Sequence, residues 1–178
     1  MKTVHFDMDG VLVDLALGLS SAEGYDDPVL WFMHSQKENG DLSFQNAIEK
    51  HIDNNIFRYL PRFSSHVLMD DVIQKLKIHK IKINILSSIG NKEFKHKIAE
   101  QKLDWLNFYM PNTFEEVYFV EKSSHKVEFI KDENTFLVDD YVKLKKVFSE
   151  NGVENQLILY KNMHQVWLEL RNKLKIYF

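Results

Sequence analysis

This sequence predicts an α/β fold built on a mostly parallel sheet, with a small helical insertion after the first strand. Three observations lead there. Short runs of branched and aromatic residues recur along the chain, helical patterns lie between the later runs, and the section 15–65 breaks that rhythm with helical patterns alone. Strand–helix alternation buries a parallel sheet between helices on both faces, which makes three layers.

The first strand is "TVHF" (3–6). From about Leu15 to Ser65 the chain shows only stretches such as "DPVLWFMHSQKEN" and "SFQNAIEKHIDNNIF", and Pro61 with the serines at 64–65 marks the return to alternation. This divides the chain into an α/β core, 1–14 and 66–178, and a helical cap, 15–65. Leu68, Val72, Ile73 and Leu76 recur at helical spacing before the strand "IKINIL" (81–86). Phe94, Ile98, Trp105 and Leu106 mark a longer helix that stops before Pro111. The strands "VYFV" (117–120) and "TFLV" (135–138) come next, then a helix on Leu144, Val147 and Phe148. "ENG" at 150–152 ends that helix, with Gly152 suited to the left-handed conformation. The strand "QLILY" (156–160) and a helix from about Met163 toward Leu174 complete the pattern.

Bulk properties narrow the function classes. A chain of 178 residues, 44% hydrophobic and 28% charged, fits one domain with a proper core. A formal net charge of −3 offers no general attraction to nucleic acid or anionic membrane. The absence of cysteine excludes disulfides, thiolate catalysis and cysteine-ligated zinc, and the eight histidines form no HxxxH-like ligand cluster. No apolar run approaches the roughly 20 residues that span a bilayer, and "MKTVHFDMDG" turns acidic too early for a signal peptide. A cytoplasmic protein is the expectation.

The chemistry gathers at strand ends, outside which α/β sheets bind their ligands. Asp7 and Asp9 follow the first strand in "FDMDGVLVD", where a buried carboxylate is costly unless something pairs with it. Ser87–Ser88 follow the second run, Lys122 and Lys126 the third, and Asp139–Asp140 the fourth. Structural readings stand beside this: aspartates favour turns, Asp14 can cap the first insertion helix, Asp139–Asp140 can cap a helix near Tyr141, and Ser87–Ser88 can simply end a strand. Asp26–Asp27 and Asp70–Asp71 read as helix-start residues. The lysines at 75, 77, 80, 82, 92, 95 and 97 read as a solvated face.

In that order, "DMDGVLVD", "ILSSIG", the lysine of "SSHKVEFI" and "FLVDDY" resemble motifs I to IV of the haloacid dehalogenase (HAD) superfamily, and together they span residues 6 to 141. The "ILSS", a tryptophan-bearing helix, the lysine and "LVDDY" look most like the 5'(3')-deoxyribonucleotidase group. That resemblance implies a Rossmann-like HAD core and a magnesium-dependent phosphomonoesterase. Asp7 would be the nucleophile that forms an aspartyl-phosphate, and Asp9 the general acid and then base. Gly10 would let the backbone turn so that amides approach phosphate. Ser87, with Ser88 auxiliary, would hydrogen-bond a phosphate oxygen, and Lys126 (or its neighbour Lys122) would neutralise the phosphoryl charge. Mg2+ would be held by Asp7, the Asp9 main-chain carbonyl and Asp139, with Asp140 a further contact or a supporting group.

Tyr25, Trp31, Phe32 and Phe44 supply aromatic faces on which a nucleobase could stack, with the insertion's own small core as the other reading. The expected substrate is a small-molecule phosphomonoester, a nucleoside and in particular a deoxyribonucleoside monophosphate. The alternatives are a sugar or other metabolite phosphate, a nucleic-acid 3' end, or a catalytically inactive binding domain. Neither a membrane nor a nucleic-acid polymer is an expected partner, and a homodimer is among the assemblies that such relatives form.

Overall fold

The computed structural model describes residues 1–35, 43–90 and 93–176; the side chains of Phe32, His34, Ser35 and Phe44 fall outside that description. Five strands form one sheet: β1 (Thr3–Phe6), β2 (Lys82–Ser88), β3 (Glu116–Val120), β4 (Thr135–Asp139) and β5 (Leu157–Leu159). Their order is β3-β2-β1-β4-β5, and every pairing is parallel. The chain builds outward from β1 to β3 and then returns to place β4 on the other side of β1. Such a reversal of direction opens a crevice between the carboxyl ends of the two neighbouring strands, here β1 and β4.

The strands are short apolar runs because both faces are covered. Val4, Phe6, Ile83, Ile85, Phe136 and Val138 point into one core, which they share with buried residues of α5 (His66–Ile78), α6 (Lys95–Tyr109) and α8 (Met163–Lys173). Leu86, Leu137 and Leu157 belong to a second core, completed by Leu144 and Phe148 of α7 (Leu144–Glu150) and by side chains of the 3-10 segment Ser123–Phe129. This is the expected three-layer arrangement. The observed strands lie within two residues of the runs read from sequence, and β2 continues through Ser87 and Ser88.

Between β1 and α5 lie α1 (Leu15–Glu23), α2 (Pro28–Ser35), α3 (Ser43–Ile52) and α4 (Ile56–Tyr59). The stretch 43–57 expected as one helix is two, because Asn55 adopts the left-handed conformation at φ 59°, which asparagine tolerates better than most residues. Leu19, Trp31 and Ala47 form a small core within this insertion, whereas Ile52, Phe57 and Leu60 join the main one. Two side chains of α6 fasten it there. Gln101 donates to the Ile52 carbonyl and accepts from the Phe57 amide, and the Trp105 indole donates to the Leu60 carbonyl at 2.8 Å.

Two smaller expectations need adjusting. Asp26–Asp27 do start a helix, since Asp27 accepts from the Leu30 amide. Asp70 and Asp71 instead sit inside α5, where they pair with Arg62 and Lys75. The helix begins earlier than its first apolar marker because the residues of its first turn are exposed.

Trp105 joins the largest buried ring to a buried hydrogen bond, so its truncation has a defined cost. Trp105→Phe is expected to lose about 1–2 kcal/mol by leaving the Leu60 carbonyl unpaired. Trp105→Ala is expected to lose about 3–5 kcal/mol. Urea unfolding reads both; no loss in Trp105→Phe would mean that the indole hydrogen bond contributes nothing.

Candidate active site

The register of the central strands builds the site. Phe6 pairs with Val138, so the next residues, Asp7 and Asp139, leave the sheet side by side, and the Asp7 amide still donates to the Val138 carbonyl. Beyond Asp7 the chain folds into a tight loop in which the Met8 carbonyl accepts from the amides of Val11, Leu12 and Val13. Gly10 has φ 77°, and a Cβ there would lie 2.0 Å from an Asp140 carboxylate oxygen. Only glycine lets this loop lie against Asp140. The turn expected at Gly10 is present, and the Gly10 amide itself donates to the Val13 carbonyl. What Gly10 supplies is space.

Residue alternation brings a different lysine to each side. Ser87 shares the face of Ile83 and Ile85, which is the face covered by α6, while Asp139 follows the parity of Leu137 on the opposite face. There the 3-10 segment delivers Lys126, 0% exposed, whose Nζ lies 2.6 Å from Asp139 Oδ2 and 2.9 Å from Asp7 Oδ2. Burial opposes the charge on Lys126, but Asp7 and Asp139 outweigh it and the pKa is raised. Lys122 precedes the segment and lines a cleft of about 250 Å3 with Ser123, Tyr141 and Lys143.

On the other face α6 delivers Lys102, which sequence reasoning missed. Its side chain is 1% exposed, and Nζ donates to Asp9 Oδ2 (2.7 Å), Ser87 Oγ (3.0 Å) and the Ser88 carbonyl (2.9 Å). A signal was present. Lys102 lies four residues after Ile98 and three before Trp105, so it occupies a core position of an amphipathic helix. Asp9 Oδ1 is buried and has no hydrogen-bond partner among the described residues. Burial is the main reason that the Asp9 pKa is raised, against the pull of Lys102.

Asp7, Asp139 and Asp140 each offer a carboxylate oxygen within 4.8 Å of the others. Burial first, then Asp7, raises Asp139 to about 6; burial, Asp7 and Asp139 raise Asp140 to about 8. With Asp9, four carboxylates face two buried lysines, so two negative charges go unmatched when all ionise. Clustered hard oxygens with that charge deficit fit a divalent cation such as Mg2+.

The other candidates divide. Ser88 Oγ accepts from Ser123 Oγ at 3.2 Å, so it turns toward the cleft. Asp14 caps α1 through the Leu17 amide. Asp139 does accept from the Tyr141 amide, but in a turn, because α7 starts only at Leu144. Tyr25 and Trp31 stack on each other at 4.2 Å, and the buried Trp31 indole donates to Ser43 Oγ. The Trp31 ring belongs to the insertion's core, while Tyr25, stacked on it, is 46% exposed. The side chains of Phe32 and Phe44 lie outside the described residues.

No family model matches the sequence, and no curated protein matches it. Among solved structures that match is that of a "putative beta-phosphoglucomutase" from Thermotoga maritima. It is 15% identical, with a TM-score of 0.47, covering 95% of this chain and 91% of that one. A likeness at this level carries no argument about activity. Among the described residues, no helix is long and apolar enough to cross a membrane.

The raised carboxylates set a pH dependence whose sign is fixed. Between roughly pH 4 and pH 8 the metal-free folded chain holds protons on Asp139 and Asp140 that the unfolded chain has released, so stability falls as pH rises through that window. In EDTA the melting temperature is expected to fall from about pH 5 to pH 8, and Asp140→Asn to flatten the decline. Added Mg2+ should raise it more at the upper pH. A Mg2+ shift equal at both pH values would contradict this charge balance.

Proposed function

We propose that this chain is a magnesium-dependent phosphomonoesterase of the haloacid dehalogenase type, acting on a small-molecule phosphate ester through an aspartyl-phosphate. One observation carries the reading. At the crevice between β1 and β4, Lys126 bridges Asp7 to Asp139 while Asp9, two residues on, stands under separate control of Lys102.

The two motif aspartates have different environments, which suits different roles. Asp7 is ion-paired with Lys126 and accepts its neighbour's amide, the Met8 N–H, at 2.8 Å, two contacts that fix its carboxyl at the crevice as a nucleophile requires. Asp9 is held toward the protonated form by burial, as a general acid requires. An Asp7 oxygen attacks phosphorus, the ester P–O bond breaks with its electron pair on the departing oxygen, and Asp9 gives that oxygen its proton. Asp9, now a carboxylate, takes a proton from water as the water attacks the aspartyl-phosphate, which returns Asp7 and releases phosphate. Ser87 Oγ accepts from Lys102, which leaves its own hydroxyl proton to donate to a phosphoryl oxygen. Asp7, Asp139 and Asp140 would hold Mg2+, with the Asp9 carbonyl as the further ligand the motif implies; the cation supplies charge neutralisation at the phosphoryl oxygens.

Within this class, a sugar or other metabolite phosphate comes ahead of a deoxyribonucleotide. Of the two described aromatics proposed to stack a base, Trp31 is buried in the insertion's core beneath Tyr25, which leaves only Tyr25 exposed. The deoxyribonucleotide remains the reading of the motif resemblance alone.

Phosphate release from sugar phosphates, other small metabolite phosphates and 5'- and 3'-mononucleotides, with Mg2+ and with EDTA, tests both levels. Mg2+-dependent release is expected, strongest on non-nucleotide esters; preference for deoxynucleotides would reverse the substrate order. Asp7→Asn is expected to cost about 10³-fold or more in kcat with the melting temperature close to that of the native chain. Retained turnover would remove Asp7 as nucleophile.

A further inference from the structure

Building on that reading, we infer that Lys102 is a positioning residue that sets the orientation of the general acid Asp9 and so governs proton delivery to the leaving group.

The geometry separates Lys102 from a phosphate clamp. An ammonium has three N–H donors, and here all three are taken, by Asp9 Oδ2, Ser87 Oγ and the Ser88 carbonyl. None is left for a substrate oxygen. The two contacts on β2 anchor Nζ to the sheet, and the third holds Asp9 by one oxygen. The other, Asp9 Oδ1, is buried without a partner among the described residues, although buried polar atoms are nearly always satisfied. The carboxyl is thus fixed at one end by Nζ, while its other oxygen keeps its hydrogen-bonding capacity unused.

The helix that carries Lys102 is itself anchored. Gln101 and Trp105, beside it on α6, bind backbone groups of Ile52, Phe57 and Leu60, and the Phe57 ring lies 5.4 Å from Nζ. The helix position of Nζ is thereby locked to the end of the insertion. A buried ion pair is a poor source of stability compared with apolar packing, so its presence at a core position of α6 calls for a role that packing cannot fill.

The test uses the leaving group. In the first chemical step the ester P–O bond breaks toward oxygen, and an alkyl oxygen needs a proton from Asp9 whereas 2,4-dinitrophenolate leaves without one. Lys102→Met is expected to lower kcat/KM for an alkyl phosphate by about 30-fold or more and for 2,4-dinitrophenyl phosphate by at most about 3-fold, the loss lying in kcat rather than KM. In an Asp9→Asn background the same change should cost at most about 3-fold on the alkyl ester, because the group it orients is already disabled. Melting curves accompany each variant. Should Lys102→Met fail to fold, Lys102→Arg replaces it: the planar guanidinium cannot meet three convergent acceptors, and the same ester-dependent loss is expected.

Equal loss on both esters, a rise in KM alone, no loss, or a full loss persisting in Asp9→Asn would each overturn the inference. Native protein inert toward both esters would instead overturn the phosphatase reading, and the inference with it.

Discussion

The Lys126 bridge between Asp7 and Asp139 is the interaction on which the rest of this site depends. A parallel sheet places the ends of β1 and β4 side by side, and their next residues are both aspartates. Two buried carboxylates at that distance repel one another in a medium of low polarity. Without a cation between them one would take up a proton or the strand ends would part. Lys126 comes from the 3-10 segment Ser123–Phe129, whose neighbouring side chains Val127 and Phe129 pack into the core on that face. The packing of an unremarkable apolar patch therefore fixes the charge state of the crevice.

The second lysine arrives from the other side of the sheet, and the division has a chemical consequence. On the proposed reading, Lys126 serves the nucleophile and Lys102 the acid that passes a proton back and forth. Each carboxyl thus has a cation of its own, Lys126 beside Asp7 and Lys102 beside Asp9. The alternation of β2 makes this possible, because Ser87 points to the α6 face while Asp139 on β4 points away from it. Balance is still incomplete, and burial, with Asp7 beside them, raises the pKa values of Asp139 and Asp140.

Much of this was legible in the sequence. The strand runs, the helical insertion and the polar residues at strand ends follow from short-range patterns, and those patterns predict which residues emerge at one sheet edge. Lys126 rather than Lys122 reaches the carboxylates because the 3-10 turn rotates Lys126 inward, a detail that spacing leaves open. Lys102 was hidden for a different reason. Lysine reads as a solvated residue, and only its place on the Ile98–Trp105 stripe shows that this one is buried. The break at Asn55 depended on one residue taking the left-handed conformation, which a run of helix-compatible residues conceals.

The insertion shows where local signals stop. Its aromatic residues suggest a base-binding surface when read one by one, yet a surface must be free to bind. A helical segment this small draws its stability from its own packing together with the main core it joins through Ile52, Phe57 and Leu60. Tyr25 on Trp31, and Trp31 on Ser43, are that packing. What the insertion contributes to the site instead runs through backbone carbonyls and one ring: Ile52, Phe57 and Leu60 are gripped by α6, and the same helix turns Lys102 onto Asp9. The insertion and Lys102 are thus tied to the same helix, while Asp7 is held from the opposite face by Lys126. The insertion and Asp9 are in this way joined through a helix that belongs to the core.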